Sequence, residues 1–230
     1  MKVLAIDTST MISSVGVLDG EYSLGEYSLN QVKTHSELLM PMTDELLKRL
    51  KLTFDDIDLF AVAKGPGSFT GLRIGMSAIK TMAQVLDKKI VGVSTLEALA
   101  FGIVSDRLIV PIIDARGKRY FSAIYKWEGD KLVNLIDEGL FKEKDLVEFL
   151  ENSQDDLVLV GDALNLLKDK LKDLKHIRFA NARQNNCLAI SIAQLASIKA
   201  ESGEFDSYYD LAPNYIRKSQ AELDYDKRNS

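Results

Sequence analysis

Two apolar runs that each end in an aspartate, VLAID at residues 3–7 and LIVPIID at residues 108–114, constrain this chain more than any other feature. The same order of elements is predicted after each. Following Asp7, strands are expected at residues 13–18 and 22–29, joined at Asp19-Gly20, a pair suited to a type I′ turn because glycine accepts positive φ. A helix follows at 34–50, with Leu39, Met42, Leu46 and Leu50 on one stripe and Pro41 expected to kink it. Then come a buried strand at 59–63, a helix opened by a glycine-rich segment and ending near residue 86, a strand at 89–93 and a helix at 95–102. Following Asp114, strands are expected at 120–125 and 131–136 around the turn Glu128-Gly129-Asp130. A helix at 144–150, a buried strand at 157–160, a helix after Gly161-Asp162-Ala163, a short strand at 176–180 and a helix at 188–199 complete the second half.

The repetition is one of pattern, since the halves share little residue identity. It predicts an α/β chain with a duplicated actin-like (ASKHA, sugar kinase-like) fold of two βββαβα-type lobes. Residues 1–103 form the expected N-terminal lobe and 104–230 the C-terminal one, its last helix packing back toward the first. In that architecture nucleotide lies in the cleft between lobes, and the strand-end aspartates face its phosphates or metal. The candidate cleft residues are therefore Asp7, Thr8, Ser9, Asp114, Gly161 and Asp162. Asp7 either points toward a phosphate-bound metal or fixes a tight turn at a strand end. Arg116 and Lys118 either attract phosphate or are solvated loop charges.

A formal net charge of -5 argues against nonspecific nucleic-acid binding by this chain alone. One cysteine, Cys187, excludes an internal disulfide and suggests a reducing, cytoplasmic setting. No apolar run approaches the ~20 residues of a membrane span. His35 and His176 are far apart, neither starts an HxxxH pair, and Cys187 has no CxxC partner. No serine sits in a GxSxG elbow. No metal site and no catalytic residue are expected.

The segment GPGSFTGLRIG, residues 65–75, is neither a Walker loop, which needs GxxxxGK, nor a Rossmann fingerprint, because Gly65, Gly67 and Gly71 give GxGxxxG. On the helix it opens, Arg73, Ser77, Lys80 and Gln84 make one narrow polar stripe, and most of the remaining circumference is apolar or small. That is more apolar arc than one side of one sheet covers. Either the helix is wholly internal, or a partner covers the remainder; the narrow stripe favours the partner. Gly71, Gly75 and Ala78 have the spacing that lets two helix backbones approach. On this reading Gly75→Arg blocks pairing and leaves the fold intact.

VLAIDTST (3–10), THSELLMPMTDELL (34–47), VAKGPGSFTGLRIG (62–75), IVPIIDARGKRYFSAIY (109–125) and PNYIRKS (213–219) together resemble the TsaB family, also called YeaZ. The resemblance spans nearly the whole chain. It implies a noncatalytic paralogue of TsaD, the transferase that places a threonylcarbamoyl group on N6 of adenosine 37 in ANN-decoding tRNAs. It implies a TsaD heterodimer formed through the first two helices, an ATPase, TsaE, in a ternary complex, a homodimer when the chain is alone, and tRNA reached through the complex. Carried onto this sequence, the interface comprises His35, Leu39, Met42, Leu46, Gly67, Phe69, Gly71, Leu72, Gly75, Met76, Ala78, Ile79 and Met82. No cofactor is required, and nucleotide in the cleft is left open. The competing expectations are an ATPase or phosphotransferase using Asp7 and Asp114, and a glycoprotease-like metallopeptidase.

Overall fold

The computed structural model describes residues 1–30 and 35–217. The first half contains β1 (Lys2–Asp7), β2 (Ile12–Asp19), β3 (Tyr22–Asn30), α1 (His35–Leu50), β4 (Leu59–Ala63), α2 (Phe69–Val85), β5 (Lys89–Val93) and α3 (Thr95–Phe101). The second contains β6 (Leu108–Asp114), β7 (Arg119–Glu128), β8 (Lys131–Lys142), α4 (Glu143–Asn152), β9 (Leu157–Val160), α5 (Leu164–Leu171), β10 (Ile177–Phe179) and α6 (Ala189–Glu201). The sheets are ordered β3-β2-β1-β4-β5 and β8-β7-β6-β9-β10. In each, the first three strands are antiparallel neighbours and the last two are added in parallel. The duplicated actin-like architecture is thus realised strand for strand.

The repetition extends to the turns. Each hairpin closes with a two-residue loop led by glycine, Gly20-Glu21 and Gly129-Asp130, with φ of 58° and 60° at the glycines. Asp19 is still in the strand, paired with Tyr22, and positive φ falls on Gly20 alone. That is the type II′ pattern rather than the expected I′. α1 runs on through Pro41, which lies on its exposed face where water can reach the Glu37 carbonyl that proline leaves without a donor.

Strand alternation sorts the apolar side chains into layers. Leu4 and Ile6 of β1 face outward, into a core with Leu39, Met42 and Leu46 of α1 and Met76 and Ile79 of α2. Val3 and Ala5 face inward, into a core shared with Ile109 and Ile113 of β6, Leu96 and Leu99 of α3, and Ile192 of α6. A third core lies between the second sheet and α4 and α5. The central helices are exchanged: α3 packs on β6, β7 and β8, whereas α6 packs on β1, β2, β4 and β5. The first N–H groups of α6 are satisfied from the other half, Ala189 N–H donating to Ser14 Oγ (3.0 Å) and Ile190 N–H to Glu26 Oε1 (3.0 Å). Lys199 of α6 reaches Glu97 of α3 at 3.0 Å.

Beyond α6 the chain returns across the first half. Asp206 N–H donates to Ile90 O (2.9 Å), and its carboxylate accepts from Gly92 N–H (2.7 Å). Lys80 Nζ on α2 donates to Leu211 O at 2.9 Å, and Asn214 N–H donates to Lys64 O at 2.6 Å. Finally the Arg217 guanidinium donates to Ala115 O in the second half. Residues 206–217 therefore act as a strap from the β5 edge to the loop after β6. No helix among the described residues is long and apolar enough to cross a membrane.

Candidate functional site

The chain ends of β1 and β6 frame a cleft of about 670 Å³ between the halves. Its walls include Ser9, Thr10 and Met11, the α2 start at Gly67–Phe69, the β6–β7 loop at Asp114–Arg116, Asp162 and Asn165, and the strap at Asn214–Arg217. Of the cleft residues expected from sequence, Ser9, Asp114 and Asp162 line it.

Asp7 and Asp114 occupy matching positions and make the same turn. Asp7 Oδ1 accepts from Ser9 N–H at 2.9 Å, and Asp114 Oδ1 accepts from Arg116 N–H at 2.7 Å. Their environments differ. Asp7 is fully buried beside the buried Cys187, and its carboxyl is pushed up from 3.8 to about 6, chiefly by loss of water. Among the described residues, its second oxygen, Oδ2, and the Ser9 hydroxyl have no hydrogen-bond partner. The Cys187 thiol is also raised, by burial and then by the Asp7 charge. Thr8 is buried too, its hydroxyl donating to Gly71 O at 2.7 Å. So Asp7 and Thr8 lie beneath the cleft floor, and Asp7 has the turn-fixing role.

Asp114 reaches the cleft but is ion-paired to Arg116 at 3.4 Å. Asp162 Oδ1 accepts from Asp114 N–H at 3.1 Å, which ties the ends of β6 and β9 together. The crowding cleft walls, and then Asp114, hold the exposed Asp162 carboxyl above its ordinary range. Gly161 is buried with φ of 129°, and a Cβ there would fall 2.1 Å from Ile112 O. It permits close β9–β6 packing and contributes nothing to the cleft surface.

The glycine segment folds onto its own neighbour. A Cβ at Gly67 would lie 2.3 Å from Ser9 O, at Gly71 1.9 Å from Thr8 O, and at Gly75 2.5 Å from Thr8 Oγ1. Ser68 N–H donates to Ser9 O at 2.6 Å, and Ser68 Oγ caps the helix by accepting from Gly71 N–H at 3.2 Å. These glycines seat α2 on the β1–β2 loop; they do not admit a second helix. Gly75→Arg is accordingly a test of folding rather than of pairing.

Most of the expected interface side chains are likewise committed to the core. Leu39, Met42, Leu46, Leu72, Met76 and Ile79 are at most 5% exposed. A stripe of large apolar residues marks the face a helix turns to its own sheet, which is why it cannot also be the outer face. The His35 side chain lies outside the described residues. Phe69, Ala78 and Met82 remain half-buried. Ala78 and Met82, together with Ile74 and the exposed Val85, leave α2 an apolar flank beside its polar stripe, and α1 adds Met40, also exposed; Phe69 lies on the opposite side of α2.

A second feature is not legible from the order of residues. Tyr215 of the strap stacks on Phe69 with centroids 4.4 Å apart, its hydroxyl accepts from Arg73 Nε at 3.0 Å, and the Arg73 guanidinium lies 4.2 Å from the Phe69 ring centroid. The strap Asn214 amide also donates to Glu138 at 3.3 Å; this carboxylate accepts from Tyr125 and Ser94 as well, and burial raises its carboxyl. No group of three metal-ligating side chains occurs among the described residues.

Residues 24–225 match the family model for TsaD, tRNA N6-adenosine threonylcarbamoyltransferase. The tRNA threonylcarbamoyladenosine biosynthesis protein TsaB of Bacillus subtilis (strain 168) is 32% identical across 96% of this chain and 96% of its own length. The protein of that name from Escherichia coli (strain K12) is 29% identical over 70% of this chain and 71% of its own. Among solved structures, YeaZ from Pseudomonas aeruginosa superposes with a TM-score of 0.78 at 22% identity, over 93% of this chain and 99% of that one. Identity at this level over nearly the full length, on a TsaD-like domain, means that the chain belongs to the TsaB (YeaZ) family.

Proposed function

We propose that this chain is a noncatalytic subunit in the biosynthesis of N6-threonylcarbamoyladenosine at position 37 of ANN-decoding tRNAs, and that it supports a TsaD-type transferase by binding it. The observation that carries this reading is the apolar flank of α2, where Val85 is exposed and Ile74, Ala78 and Met82 are half-buried, with the exposed Met40 on α1. It sits on the outer layer, on helices fixed firmly to the sheet beneath. An interface of the standard ~1,600 Å² covers both helices. The same face pairs with a second copy when the transferase is absent, since exposed apolar patches drive association. TsaE joins the pair, and tRNA is met through the assembly rather than through this acidic chain.

Two placements support a noncatalytic role. Asp7 is sealed in the core, out of reach of a phosphate-bound metal in the cleft, and Asp114 already pairs with Arg116 at 3.4 Å. No cofactor is required on this reading. The ATPase alternative needs Asp7 in the cleft, and the peptidase alternative needs a metal or a nucleophile that the geometry does not assemble.

The direct test is threonylcarbamoylation of tRNA by the purified partner subunits with and without this chain; undiminished modification in its absence would overturn the proposal. A sharper test is Val85→Arg. Val85 is 77% exposed, so its replacement leaves the melting temperature unchanged. It should weaken binding to the TsaD-type subunit at least tenfold, about 1.4 kcal/mol, by placing a charge in an apolar contact. Equal affinities for variant and parent, measured by surface plasmon resonance, would put the interface elsewhere.

A further inference from the structure

A second pocket, of about 350 Å³, opens between the end of α3 and the start of α6, and it shares no lining residue with the cleft. Its floor is apolar, built from Ala98 and Leu99 of α3 and Leu188 just before α6. Its wall is the amide-rich loop that follows β10. That loop is locked by its own side chains. Asn181 Oδ1 accepts from Arg183 N–H at 3.0 Å and from Gln184 N–H at 3.2 Å, and Gln184 Oε1 accepts from Asn181 N–H at 3.2 Å. These bonds use the oxygen of each amide and, among the described residues, leave both NH2 groups free to donate. Among the same residues Arg183 has no ion-pair partner, and the Asn186 side chain makes no hydrogen bond. Ser191 also lines the pocket; it is 9% exposed, and its hydroxyl has no hydrogen-bond partner among the described residues. Gly102 keeps the space beside it open, since a Cβ there would lie 3.7 Å from Ser191 Oγ. No carboxylate lines the pocket. Its wall therefore presents unused donors and one positive charge above an apolar floor.

We propose that this pocket binds a small organic acid, a carboxylate on a short carbon chain that carries a second oxygen acceptor. Arg183 takes the carboxylate with the paired N–H donors of its planar fork. The free amide NH2 groups and the Ser191 hydroxyl take the remaining oxygens, because a hydroxyl held away from water gains from any acceptor brought to it. The carbon chain rests on Ala98, Leu99 and Leu188, a floor with nothing to offer a bare inorganic anion. The volume lies at the lower end of the range for small-molecule sites, which suits a molecule of amino-acid size. The start of α6 does not hold the acid, since its first N–H groups already donate to Ser14 and Glu26. No residue of the site belongs to the outer face of α1 and α2, so this proposal and the docking proposal can fail separately.

The test is isothermal titration calorimetry of the full chain with succinate as the probe and sodium sulfate at matched ionic strength as the control. Succinate is expected to bind saturably at millimolar concentration, and sulfate is not. Arg183→Gln should bind succinate about tenfold more weakly, through loss of the charged fork. Ser191→Ala should bind it about threefold more weakly, through loss of one donor. Both variants should keep the parent's melting temperature: Arg183 is exposed, and the Ser191 hydroxyl has no bond to lose on a helix that favours alanine. The absence of saturable binding by the parent would overturn the site. So would an equal response to sulfate, which would reduce it to charge attraction, or parental affinity for succinate in either variant.

Discussion

Gly71→Ala is expected to lower stability by about 3 kcal/mol, although alanine is the better helix former by about 1 kcal/mol. The added methyl group would lie 1.9 Å from the Thr8 carbonyl oxygen, a backbone atom that cannot swing aside. Relief requires α2 to lift from the β1–β2 loop. That movement strains the Thr8 Oγ1 to Gly71 O bond at 2.7 Å and the Ser68 N–H to Ser9 O bond at 2.6 Å. For a chain of this size, 3 kcal/mol corresponds to roughly 10 °C in melting temperature. Gly102→Ala is the matched control. Gly102 has an ordinary φ of -68° and a nearest Cβ contact of 3.6 Å, so alanine should be neutral or slightly stabilising. A Gly71→Ala melting temperature within about 2 °C of the parent would refute this account of the glycine segment.

Asp7→Asn should stabilise the protein, and only at the upper end of the pH range. The folded carboxyl titrates at about 6 instead of 3.8, so the native state holds a proton that the unfolded chain releases. Any stability linked to that proton is complete below pH 3.8 and is lost as pH rises through about 6. Above pH 7 the charged, buried carboxylate costs the parent about 3 kcal/mol. Asparagine keeps an acceptor for Ser9 N–H and carries no charge. The two proteins should therefore melt together near pH 4 and diverge by about 10 °C at pH 8, the variant being higher. Parallel melting curves between pH 4 and 8 would show that Asp7 ionises freely.

Helix phase was the point at which the one-dimensional reading failed. GPGSFTGLRIG announced that something approaches closely, and the helix it opens was legible, but not what approaches. Gly67, Gly71 and Gly75 face Thr8 and Ser9, more than fifty residues away in sequence. Of the interface residues that the family resemblance implied, Leu39, Leu46, Leu72 and Ile79 are core, whereas Val85, outside that set, is exposed at 77%.

Local order was written in the chain itself. Period-two alternation, buried apolar runs and a glycine leading each hairpin loop fixed the strands and their sequence in both halves, since those signals rest on contacts between near neighbours. Contacts across long loops decided the rest: the exchange of α3 and α6 between sheets, the full burial of Asp7 against the half-burial of its counterpart Asp114 at the cleft, and the course of the strap. Two aspartates with the same turn acquire different chemistry because one is covered by Cys187 and its surroundings and the other faces water and Arg116. Solvation is a property of the assembled surface, and no window along the sequence contains it.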